Sequence, residues 1–134
     1  MHMPHALIFA GLTFLGLNAC QGDETVTAYG AADITWELSE IDGQHYSSQA
    51  TLVFPEPGRI AGHSQCNSYT AVMDAPYPWF EAQHLSVTEM ACADHIAESL
   101  FLQALQSMTL SEVAGDVLLL SNVQGREMIF IAAE

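Results

Sequence analysis

Apolar residues recur at every second position in short runs along most of this chain, and only once, over Asp94 to Met108, at every third or fourth. A two-residue period sends alternate side chains to opposite faces of a strand, whereas a period of three to four draws one stripe along a helix. The first alternating run is Ile34 to Leu38, and Asp42-Gly43 supplies a turn. Ala50 to Phe54 alternates again, with Leu52 and Phe54 on one face. Pro55-Glu56-Pro57-Gly58 breaks the chain, and Arg59 to Cys66 resumes it, as in a hairpin with a longer loop. Asn67 to Met73 follows, with Tyr69, Ala71 and Met73 on one side. Asp74 to Pro78 holds two prolines and reads as loop, and Leu85 and Val87 mark a strand within Trp79 to Thr88.

Ile96, Ala97, Leu100, Phe101, Ala104, Leu105 and Met108 then form one apolar stripe, predicting a core-facing helix over about 94–108. Asp94 is its expected N-cap, and Glu98 stands in the first turn, where the helix dipole favours a carboxylate. Leu110–Ala114, Val117–Ser121 and Glu127–Ala132 close the chain as strands joined by turns. The run Val117 to Leu120 alternates little, which predicts a strand covered on both faces. The expected architecture is α+β: a strongly curved, mainly antiparallel sheet or small barrel of about seven short strands, with one helix packed on it.

The amino-terminal segment has a different character. Ala6 to Leu17 is apolar or small and uncharged, too short to span a bilayer, and ends in Leu17-Asn18-Ala19-Cys20 before a polar tract. The tetrapeptide resembles a bacterial lipobox, in which the Cys becomes the acylated first residue of a lipoprotein. The n-region carries no Lys or Arg, so an ordinary secretory signal is the competing reading. The expected division is a signal peptide over 1–19, a flexible tether over 20–33 and one domain over 34–134. By resemblance to enterobacterial lipoproteins, Gln21 rather than Asp after the Cys implies the outer membrane, with the domain expected to face the periplasm.

The net charge is −14, all 16 acidic residues follow Cys20, and the basic residues are Arg59 and Arg126 alone. Without lysine such a chain is repelled by phosphates and by anionic headgroups, which excludes nucleic acid as a partner. The membrane is then reached through acyl chains on Cys20.

In an oxidising compartment Cys66 and Cys92 form an even pair, either a disulfide or two buried thiols. A disulfide would close a loop of about 27 residues and contribute roughly 3–4 kcal/mol. His63, Cys66, Cys92 and His95 offer a second possibility, a tetrahedral zinc or redox site. His63 and Cys66 stand three positions apart, however, and point to opposite faces of a regular strand. No nucleophile elbow, phosphate-binding loop or metalloprotease motif occurs, so no catalytic residue, cofactor or enzymatic activity is expected. Trp36, Trp79, Tyr77 and Tyr69 are expected mainly in the core.

Trp36-x-Leu38, Ile41-x-Gly43, Thr51-Leu52-x-Phe54, Gly58, Gly62 and Cys66-Asn67-x-Tyr69 occur in order, followed by Thr88-x-Met90-Ala91-Cys92, Glu98, Phe101, Leu105 and Leu118-x-Leu120. This succession resembles the META domain of the HslJ type, found in bacterial heat-shock and envelope lipoproteins. The resemblance covers about residues 34 to 132. It implies a compact α+β domain on a curved antiparallel sheet, and a family pattern that includes Cys66 and Cys92 but neither His63 nor His95. Gln65 stands where a Gly usually precedes Cys-Asn, so the turn there is expected to differ, and Glu89 replaces a commonly basic residue. The family is linked to envelope stress and carries no established reaction. The expected role is a non-enzymatic stress-related binding or scaffolding module for an envelope protein or small apolar ligand, with a hydrophobe carrier as a further alternative.

Overall fold

Alternation in the sequence becomes nine antiparallel strands among the described residues, which are 22–134 apart from Cys92 and Asp94 in this computed structural model. The expected signal peptide, Cys20 and the Cys92 half of the cysteine pair lie outside them. The strands are β1 (Trp36–Ile41), β2 (Gln44–His45), β3 (Thr51–Glu56), β4 (Gly58–Ser64), β5 (Asn67–Met73), β6 (Gln83–Val87), β7 (Leu110–Ala114), β8 (Val117–Ser121) and β9 (Glu127–Ala132). They form one sheet in the order β6-β5-β4-β3-β1-β9-β8-β7, with β2 paired to β1. The sheet curls into a half-barrel, and the single helix α1 (His95–Ser107) packs on it.

The turns follow their residues. Asp42 and Gly43 both take positive φ (52° and 79°), the type I′ geometry that matches the twist of a two-residue hairpin. Pro57-Gly58 places a fixed φ first and a positive φ (84°) second, as a type II turn requires, so β3 and β4 meet more tightly than the expected longer loop. Pro55 has no N–H to give the ladder, and the β3–β4 register shifts between Val53 and Glu56, where it sits.

The core faces the helix. Trp36, Leu52, Ile60, Tyr69, Met73, Phe80, Phe101, Leu118, Leu120 and Phe130 are fully buried. Phe101 of α1 meets the Tyr69 ring edge-on at 5.5 Å. Gly62 lies opposite Tyr69 on the neighbouring strand, and the Tyr69 hydroxyl crosses over it to donate to the Thr51 carbonyl at 2.6 Å. A methyl group at Gly62 would collide with the Thr51 carbonyl and the Tyr69 ring, so the ring can lie across the strand only because position 62 has no side chain.

Three expectations are corrected. The segment expected as a tether is part of the domain from Glu24 onward: Val26–Tyr29 form a 3-10 turn, Val26 and Ala31 are buried, and the Trp36 indole donates to the Ala31 carbonyl at 3.1 Å. Its polar residues conceal a plug of small apolar side chains whose burial is tertiary, with no local period. Ile96 and Leu100 do not face the core; they are 66% and 57% exposed, because Ala97, Phe101, Ala104 and Leu105 already fill the narrower stripe the curled sheet accepts. Strand β8 is not covered on both faces, since Leu118 and Leu120 are buried while Val117 and Leu119 are half-buried.

The open side of the half-barrel is bridged by a loop. Phe80 N–H donates to Thr109 O (2.9 Å), Ser111 N–H donates to Pro78 O (2.7 Å), and Trp79 pairs with Leu110. The β5–β6 connection thereby lies along β7, at the far end of the strand order.

Gly62→Ala should lower stability by about 2–3 kcal/mol, the cost of forcing a crowded core to shift, read as a lower denaturant midpoint at unchanged slope. A loss below the error of the measurement would mean that Tyr69 moves aside freely. Asp42 gives a pH signature. The Glu127 backbone N–H (3.0 Å) holds its carboxyl below the ordinary value of 3.8, slight burial opposes this, and Arg126 adds to the lowering. A carboxyl lowered in the folded state stabilises above its unfolded value and loses that contribution as pH falls through the folded one. The stability difference between wild type and Asp42→Asn should therefore be full above about pH 5 and shrink below pH 4 in acid titrations.

Candidate functional site

Four residues of the family-type motif, Asn67, Thr88, Met90 and Glu98, meet around one carboxamide. Asn67 opens β5 and is 5% exposed. Its amide nitrogen donates to both carboxylate oxygens of Glu98 at 3.0 Å and to the Met90 carbonyl at 3.4 Å. Its amide oxygen accepts from the Thr88 hydroxyl at 2.9 Å and the Met90 N–H at 2.8 Å. Thr88 also accepts the Ser68 N–H at 3.0 Å. One side chain thus ties the β4–β5 hairpin, the chain leaving β6 and the first turn of α1. Glu98, read from the sequence as a dipole residue, is buried to 8% exposure as a partner of this amide. A buried carboxylate needs donors of this kind to offset its desolvation.

The hairpin that presents Asn67 turns through Gln65 and Cys66. Gln65 has φ 66°, the left-handed conformation a Gly would hold at the first position of a two-residue turn. Gln65 therefore holds a Gly-like backbone with a side chain attached, at a cost of about 1 kcal/mol in that region. Gln65 N–H donates to Gln49 O at 2.8 Å, and its side-chain oxygen accepts from Ser48 at 2.9 Å, which holds the turn in place.

His63 is exposed on β4, with its Nδ1 3.1 Å from the Ser68 hydroxyl, while its neighbour Ser64 faces the core at 0% exposure. His95 opens α1 and is exposed. Among the described residues no group of three or more His, Cys, Asp or Glu could hold a metal ion; Cys92 of the four-ligand alternative lies outside them. Trp36 lies in the core as expected, whereas Trp79 is 56% exposed.

What the motif displays is apolar. Met90, whose backbone is held by Asn67, is 64% exposed, and Ile96 and Leu100 stand one turn apart on the outer face of α1. Beside Leu100 runs a solvent-open cleft of about 390 Å³ lined by Ile41, His45, Tyr46, Ala97 and Arg126 among others. The Tyr46 hydroxyl donates to the Ala97 carbonyl at 2.9 Å and fixes the cleft wall to the helix. A second cleft of about 390 Å³ continues past His45 and Tyr46 to Leu38 and Thr51. Sequence periodicity assigned Ile96 and Leu100 to the core; only the width of the buried stripe, set by the curl of the sheet, tells the two faces apart. Both arginines are ion-paired, Arg126 to Asp42 and Arg59 to Glu56, each at 3.1 Å.

A family model described as META domain matches residues 30–134. Solved structures share the fold. A protein from Burkholderia xenovorans is 20% identical with a TM-score of 0.64, over 81% of this chain and 87% of that one. A DUF4847 family protein from Bacteroides vulgatus is 12% identical with a TM-score of 0.61, over 78% of this chain and 96% of that one. Comparison with the curated proteins finds no match.

Asn67→Ala should cost about 3–4 kcal/mol, because it strips the buried Glu98 carboxylate and the Met90 backbone of their shared partner. Chemical denaturation reads the loss. A cost under about 1 kcal/mol would show that water replaces the amide and that the clamp is dispensable.

Proposed function

The chain belongs to the META domain family, and on that premise we propose that it is a lipid-anchored, non-enzymatic binding module of the bacterial envelope. It is acylated on Cys20 at the outer membrane, faces the periplasm, and engages another envelope protein by contact as part of a stress response. The observation that carries this reading is the division of labour around Asn67. Every hydrogen-bonding capacity of that amide is spent on holding the chain, while Met90, Ile96 and Leu100 are left in solvent beside an open cleft. Exposed apolar side chains next to a groove are the usual substrate of protein–protein contact, and an acidic protein without lysine has few other means of adhesion.

The same geometry favours contact over the alternatives. Large side chains (Trp36, Tyr69, Phe80, Phe101, Phe130) fill the space a carried hydrophobe would need. The bond between the His63 ring and Ser68, and its exposed position on β4, give the zinc reading no support. A Cys66–Cys92 disulfide belongs to the proposal. Asn67, next to Cys66, binds the backbone of Met90, so the stretch before Cys92 runs alongside the Gln65-Cys66 turn. The bridge would fasten covalently the loop that the amide already holds.

A photoreactive residue placed at Leu100 in cells producing the full chain should give a discrete adduct with one envelope protein, and the same probe at Asp116, on the exposed β7–β8 turn, should give none. Equal labelling at both, or none at either, counts against contact through this face. Intact mass of the matured protein should show acyl groups on Cys20 and two hydrogens fewer than the reduced chain.

A further inference from the structure

The chain enters the folded domain beside two stacked tyrosine rings. The Glu24 carbonyl accepts the Tyr77 N–H at 2.6 Å, and the Tyr29 ring stacks on the Tyr77 ring at 4.4 Å with 9° between planes. Two residues on, Trp79 pairs with Leu110 at the start of β7 and is 56% exposed; Tyr29 is 53% exposed. Gly30 lies against Val113 of the same strand, so the 3-10 turn and the Pro76–Phe80 loop share the β7 edge of the sheet.

Residues 21–23 alone separate Cys20 from this edge. Four residue steps span at most about 14 Å, and the headgroup layer of one leaflet is about 6 Å deep. If the sulfur of Cys20 is held at the hydrocarbon boundary, Glu24 and Tyr77 cannot leave the vicinity of the headgroups. Tyr and Trp are the side chains that gain most there, with an apolar ring and one polar tip.

We infer that the edge carrying Tyr29, Tyr77 and Trp79 seats in the headgroup layer of the membrane that holds the anchor. This rests on acylation of Cys20. The contact is with uncharged or zwitterionic lipid: the chain has no lysine, both arginines are paired, and Glu24 and Glu112 flank the edge. Seating that edge gives the domain one orientation on the membrane.

The test uses the acylated mature protein, purified after expression of the full chain and reconstituted in phosphatidylethanolamine–phosphatidylcholine vesicles with lipids brominated near the headgroup. Trp36 is fully buried, so emission lost in Trp79→Phe relative to wild type reports Trp79 alone. On the vesicles Trp79 emission should shift to the blue and fall by about half, as for a ring at headgroup depth. Acylated protein whose Trp79 emits as in water overturns the inference and leaves the anchor standing. Protein whose mass shows a bare Cys20 overturns both. If the variant fails to fold, acrylamide quenching of wild type reads the same ring: protection on vesicles supports the seating, and unchanged access refutes it.

Discussion

One buried carboxamide sets the geometry on which the rest of this domain depends. Asn67 meets three parts of the chain that are far apart in sequence, and it satisfies Glu98, a carboxylate that could not otherwise sit between helix and sheet without a large desolvation cost. The helix is therefore docked at its first turn by polar bonds and along its length by Phe101, Ala104 and Leu105. The two kinds of contact act differently. Apolar burial supplies most of the stabilisation but is tolerant of small slides, whereas hydrogen bonds of fixed direction select one register.

A second constraint is spatial. The sheet curls tightly enough that Tyr69 must lie across the next strand, and Gly62 leaves the room. Curl in turn narrows the concave face, so that α1 buries only a stripe of Glu98, Phe101, Ala104 and Leu105, with Ala97 and Leu102 partly covered at its sides. The outer residues Ile96 and Leu100, apolar though they are, have nowhere to go but solvent. The proposed binding face is in this sense a product of the sheet's curvature.

Strand positions and turns were legible because their causes are local. Alternation marks most of the strands, and Asp42-Gly43 and Gly115-Asp116 fall at hairpin turns, where Asp42, Gly43 and Gly115 take positive φ. The helix was legible from its period, to within a residue or two at each described end. Facts that depend on tertiary shape were not. The burial of Val26 and Ala31 and the exposure of Ile96 and Leu100 leave no trace in periodicity. The meeting of Asn67 with Thr88, Met90 and Glu98 does leave one: all four stand in the family-type motif. Their order along the chain, however, gives no hint that a single amide joins them. Gln65 shows the converse, a residue that departs from the pattern while the backbone keeps the Gly-like turn.

The bonds from Pro78 and Phe80 to the chain at Thr109–Ser111 have a bearing on crowding. An unprotected outer strand offers a ladder of donors and acceptors on which a neighbouring molecule can extend its own sheet. Here the Pro-rich loop occupies that ladder on β7, and at the opposite margin the left-handed backbone of His84 kinks β6 out of line. Molecules crowded together would thus find poor templates for aggregation at either margin, and could stand close without growing into one another.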